Sequence, residues 1–149
     1  MVLSKKQRAA LRMKFGGFCA YCGKELPEKG WHADHIAPVV RRNHYVYGKG
    51  FVPTGVVKYP EREALENLHP ACMRCNIRKF KCSIEQFRNE IEQQAFRLRR
   101  DSNSFKLAED FGVITDNKIK VVFWFEKYVP PKVEEGPPKK PPIPRIKSK

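Results

Sequence analysis

Two Cys-x-x-Cys pairs, Cys19/Cys22 and Cys72/Cys75, constrain this chain more than any other feature. Four soft thiolate donors are what a tetrahedral Zn2+ takes in a structural site, and two such knuckles supply all four. Residues 23–71 lie between the pairs, so a shared ion would staple distant parts of the chain. A closed four-thiolate site keeps no position open for water, so the expected role of Zn2+ is to hold the fold. The fifth cysteine, Cys82, has no pair mate and reads as a core thiol before a helix. The cysteine count is odd, and the reducing compartment expected for the chain argues against a disulfide framework.

With 149 residues the chain is long enough for one domain with a small appendage. Lys and Arg number 30 against 16 Asp and Glu, a net charge of +14. Such a surface attracts polyanions, of which nucleic acid is the commonest. The N-terminus, MVLSKKQRAALRMKF, is basic and broken by charges, without the apolar core of a secretion signal. The longest apolar run, VVFWF, is strand-sized, so no membrane partner is expected. The expectation is a soluble, cytoplasmic protein.

Residues 2–14 read as a basic helix capped by Ser4 and stopped by Gly16-Gly17. Residues 30–40 read as a short strand that turns at Pro38. Residues 41–62 are irregular, with aromatics and bases interleaved among Gly and Pro, and read as a long loop or a weak hairpin. From Arg62 the chain can become helical until Pro70 interrupts it. Ser83 and Gln86 have the spacing of a capping box, and Ile84, Phe87, Ile91, Ala95 and Leu98 recur at helical intervals, which places a helix at 83–97. A shorter helix ends at Gly112. GVI and KIKVVFWFEKY flank TDN, a pattern for a C-terminal β-hairpin. Residues 130–149 hold seven of the chain's twelve prolines and six Lys/Arg without an aromatic, the composition of a disordered tail.

Between the knuckles lies HADHIAP, residues 32–38, and around the second knuckle lies ENLHPACMRCNIRKF. In these motifs the chain resembles the HNH endonucleases of the zinc-knuckle kind. That family combines a D-H-I-x-P strand, an N-L-x-x-x-C-x-x-C turn, and His or Asn followed by x-x-K on a helix. All three occur here in that order, over residues 19–80. The resemblance implies an α+β fold: a ββα-metal (His-Me finger) core with a four-cysteine zinc site, flanking helices and the C-terminal hairpin. The expected organisation is a basic helix at 1–18, the nuclease core at 19–97 with an insertion at 41–62, a helix and hairpin at 98–129, and the tail at 130–149.

Carried over by position, the resemblance makes His35 the general base, Asp34 and Asn76 the ligands of a catalytic Mg2+ or Mn2+, and Asn67 the residue that braces the loop between the strands. The chemistry suits those types. Neutral histidine accepts a proton near neutral pH, hard oxygens bind Mg2+, and a divalent ion stabilises charge on phosphate oxygens. Adjacent residues of a strand point to opposite sides, so Asp34 and His35 can serve one phosphate only from an irregular strand or a groove. Asn76 stands where the family name has its last His, which favours a harder metal.

The implied activity is hydrolysis of DNA phosphodiester bonds, by nicking or double-strand cleavage, leaving 5′-phosphate and 3′-hydroxyl ends. Arg74, Arg78, Lys79 and Lys81 cluster beside the second knuckle as candidate phosphate contacts, with Arg41 and Arg42 after the strand. A solvated basic face is the plainer account of them. His32 and His69 read as structural, and His44 lies in the insertion. Small stand-alone relatives are common in phages, which would put the chain in the host cytoplasm, with a packaging or host partner for the tail and a homodimer as one way to cut both strands. A non-catalytic zinc-stabilised nucleic-acid-binding module is the competing class. It explains the cysteines and the charge but not Asp34, His35 and Asn76 at motif positions.

Overall fold

The computed structural model describes residues 2–131 of the chain. The tail expected at 130–149 lies outside the described residues except for Pro130 and Pro131. The architecture is mixed α and β, with six helices and two separate two-stranded antiparallel sheets among the described residues.

Helix α1, Lys5–Met13, starts on a capping box in which Ser4 Oγ accepts from Gln7 N while Gln7 Oε1 accepts from Ser4 N. Its basic side chains are used internally. Arg8 lies over the Trp31 ring at 4.2 Å and donates to Trp31 O, Arg12 donates to Leu26 O, and Lys14 Nζ donates to Leu68 O at 2.8 Å. The first knuckle follows as a tight turn. Cys19 N donates to Lys24 O and Gly23 N to Cys19 O, with Gly23 at φ +68°. A side chain there would meet Trp124 at 3.0 Å.

Strand β1, His32–His35, pairs with β4, Leu68–Ala71, with Asp34 opposite His69 and His35 opposite Leu68. Pro70 therefore sits inside a strand, where it faces Ala33, and its carbonyl accepts from Ala20 N at 2.9 Å. The stretch around Arg62 forms only short 3-10 turns, Pro60–Arg62 and Leu65–Asn67. The stretch read as a long loop or weak hairpin is a hairpin of β2, Val40–Val46, and β3, Gly50–Lys58. Helix α2, Met73–Lys79, grows directly from the second knuckle.

The helix expected at 83–97 is two helices, α3 at Ile84–Glu92 and α4 at Gln94–Asp101. The chain tilts at Gln93, where ψ is −3°, and Gln94 Nε2 donates to Glu90 O across the corner. The capping box at Ser83 and Gln86 is formed. Helix α5 spans Asn103–Asp110.

The expected C-terminal hairpin is absent: residues 113–123 form no strand, and Trp124–Lys127 is a short helix, α6. The reason is a better partner elsewhere. Trp124 N and Phe125 N donate to Tyr21 O and Ala20 O of the first knuckle, at 3.0 and 2.8 Å. Arg88 reaches Val121 O and the Glu126 carboxylate, and Asp116 pairs with Arg99 instead of closing a turn between strands. Phe123 stacks on Phe87 with centroids 5.5 Å apart, and Tyr21 meets both rings edge-on. This aromatic cluster, with Leu11, Leu26, Trp31 and Leu68, forms the core behind the knuckles. Among the described residues no helix is long and apolar enough to cross a membrane.

Candidate metal centre and adjoining site

The Sγ atoms of Cys19, Cys22, Cys72 and Cys75 all lie within 4.8 Å of one another. A tetrahedral ion with Zn–S bonds of about 2.3 Å sets sulfur–sulfur edges of about 3.8 Å. Cys22 and Cys72 stand 3.8 Å apart. The donor set and its spacing therefore fit a structural zinc ion. Cys72 N donates to Cys19 Sγ at 3.3 Å, an amide contact that stabilises negative charge on sulfur. A hydrogen bond from the Cys75 thiol draws Cys19 down to about 4 and pushes Cys75 up. Metal binding to such a cluster releases the protons the thiols hold.

The second knuckle leads without a spacer into α2, so the cysteine cluster fixes the helix relative to the first knuckle. Lys79, at the end of α2, is fully buried. Its Nζ lies 3.0 Å from Asp34 Oδ2 and donates to His35 O at 2.6 Å. Both candidate residues of β1 are thereby tied to one helix. Asn76 lies one turn earlier on the same face of α2 and is half-buried.

Asp34 is buried, and its Oδ2 also accepts from the Tyr21 hydroxyl. Burial pushes its carboxyl up, against the opposing pull of Lys79 and Tyr21. Burial and the Asp34 carboxylate push the Tyr21 hydroxyl up, which keeps it a donor. Among the described residues Asp34 Oδ1 accepts no hydrogen bond, so it is the oxygen open to a further ligand.

His35 Nε2 is buried and has no hydrogen-bond partner among the described residues. Burial holds the imidazole below its ordinary range, while the Glu63 carboxylate pulls the other way. The neutral form therefore prevails at pH 7. Asn67 fastens the turn that follows His35: its Oδ1 accepts from Ala37 N at 2.8 Å, its Nδ2 donates to Ala37 O and Arg62 O, and its carbonyl accepts from Ile36 N.

Lys79 is a correction to the sequence reading. A side chain with no exposure, paired to Asp34, is not a surface phosphate contact. Its helical phase carried the signal, because Lys79 follows Cys75 by four residues and shares its inward face. Tyr21 was also missed, and nothing local marks it beyond its place inside CAYC. Arg42, Arg74, Arg78 and Lys81 are exposed, whereas Arg41 is ion-paired with Glu63. His69 is packed against Phe15, Tyr21 and Phe125, and burial drives it down to about 3, so it is a neutral core residue. Cys82 packs against the core at the start of α3. His44 is exposed on β2, and His32 is half-buried opposite Ala71.

Compared with known proteins, the chain matches no protein-family model, no curated protein and no solved structure.

Proposed function

We propose that the chain is a metal-dependent endonuclease that hydrolyses DNA phosphodiester bonds, with β1, β4 and α2 as an HNH-type ββα-metal core stapled by zinc on Cys19, Cys22, Cys72 and Cys75. The observation that carries this reading is the double tie of Lys79 to Asp34 and to His35 O, which brings the helix bearing Asn76 against the strand bearing Asp34 and His35. The Asn67 clamp on the turn after His35 adds support, because it fixes where the histidine ring stands relative to α2.

On this reading the His35 imidazole, whose ring nitrogens make no hydrogen bond among the described residues, takes the proton of the attacking water. Burial, which lowers its pKa, keeps the imidazole neutral at pH 7 and so able to accept that proton. Asp34 Oδ1 and the Asn76 side-chain oxygen are the hard donors for Mg2+ or Mn2+. A divalent ion bound there supplies charge stabilisation at the phosphate oxygens. Asn67 and Lys79 act as positioning residues, one on the turn and one on the strand. Arg74, Arg78 and Lys81 are exposed cations beside the same helix and serve as phosphate contacts.

One observation favours the competing reading, a non-catalytic zinc-stabilised nucleic-acid-binding module: Lys79 already neutralises Asp34. Plasmid cleavage assayed with Mg2+, Mn2+ and no added divalent ion separates the two. The expected result is metal-dependent cutting with 5′-phosphate and 3′-hydroxyl ends, reduced about 10²- to 10⁴-fold by His35→Ala at unchanged zinc content. DNA binding without cleavage under any metal would decide for the binding module.

A further inference from the structure

The β2–β3 hairpin is an outlier in this molecule. It forms its own two-stranded sheet and pairs with neither β1 nor β4. Most of its residues are exposed on both faces, including Tyr45 at 65%, Phe51 at 75% and Tyr47 at 95%. A ribbon that buries neither face contributes nothing to the core and is marginal alone. Its sequence, VRRNHYVYGKGFVPTGVVK, holds Arg41, Arg42, Lys49 and Lys58 and no acidic residue.

The base of the ribbon is fastened while its tip is not. Arg62 donates to Pro38 O at 3.1 Å and lies over the Tyr59 ring at 3.9 Å, and Arg41 pairs with Glu63. Thr54 Oγ1 donates to Arg42 O across an irregularity in the register. At the tip, Gly48 and Gly50 take positive φ with open space around them, and Tyr45 and Phe51 meet edge to face at 5.6 Å. The ribbon leaves the turn that Asn67 clamps, so its direction is set from the same point as His35.

We infer that the β2–β3 ribbon enters the major groove of duplex DNA and sets which phosphate reaches His35. This rests on the proposed nuclease reading and names how its substrate is held. Charge selects a polyanion, because the ribbon is wholly cationic. Size selects the groove. Two strands about 4.8 Å apart, with side chains on both faces, fit the undistorted groove about 12 Å wide, whereas one about 6 Å wide would first have to be opened at a cost in deformation energy. Arg42 and Lys49 meet phosphates, while Tyr47 and Phe51 supply apolar contact to base edges and thymine methyls.

The test is duplex binding by the full chain in buffer without divalent ions, so that chemistry plays no part. The probes are a mixed-sequence duplex of about 30 base pairs, spanning roughly three helical turns, and the matching single strand. The variant is Tyr47→Ala with Lys49→Gln, checked for zinc content and far-ultraviolet circular dichroism. The expected result is duplex affinity about tenfold weaker or more, with a salt slope lower by about one. A major-groove ligand should compete and a minor-groove ligand should not. Unchanged duplex affinity, competition only by the minor-groove ligand, or tighter binding of the single strand would each overturn the ribbon. Tip-dependent duplex binding by a chain that cleaves nothing would retire the nuclease reading and leave the ribbon standing as a DNA-binding element.

Discussion

A lysine with no exposure to solvent has to be neutralised where it lies, and Lys79 has Asp34 at 3.0 Å to do so. The pair is also hydrogen-bonded, through His35 O on one side and Tyr21 on the other. Removing one partner of a buried pair strands the other charge. Lys79→Ala is therefore expected to lower stability by about 3–5 kcal/mol, measured by urea unfolding with zinc present. Adding Asp34→Asn to it should return part of that loss. An additive, further destabilised double variant would show that the two side chains do not compensate each other. Read along the chain, NIRKFK is a row of cations and invites one assignment for all of them. Burial separates Lys79 from Arg78 and Lys81, and burial depends on how the knuckle orients α2. Asp34, His35, Asn67 and Asn76 are picked out by resemblance, and the fold brings the strand bearing the first two against the helix bearing Asn76. The partners of Asp34 were not legible, because Tyr21 and Lys79 come from opposite ends of the motif.

At the scale of elements, local signals served where the interaction is itself local. The boxes at Ser4 and Ser83 span three residues each, and both form. They failed at the C-terminus, where VVFWF has strand composition but takes its partner from the first knuckle, about a hundred residues earlier in the chain. Such a choice depends on tertiary packing that no window of sequence contains. The docked segment covers the knuckle: Phe123 is almost fully buried against Phe87 and Tyr21, and Trp124 packs over Gly23. Phe123→Ala is expected to cost about 3–5 kcal/mol of folding stability, as large-to-small changes of buried aromatics do. Chemical denaturation measures this. A loss under about 1 kcal/mol would mean that α6 lies on the molecule without holding it.

At the scale of the whole molecule, the cysteine cluster joins the first knuckle to the start of α2, and the aromatic core packs behind both. Binding energy for a structural zinc ion is then folding energy. Elemental analysis is expected to give about one zinc per chain. Chelation, or Cys72→Ser, should abolish the cooperative unfolding transition seen by circular dichroism; a chelated chain that still melts cooperatively would show that the core stands without the metal. The free hairpin has a different consequence for the molecule as a whole. Each of its two strands has an outer edge that pairs with nothing among the described residues, and open edges are where copies of a protein add to one another and aggregate. Pro53 removes a donor from β3, the irregularity around Arg42 bends the ribbon, and the like charges of Arg42, Lys49 and Lys58 repel a second copy. The cations proposed to meet DNA thus also work against the pairing of copies through these edges.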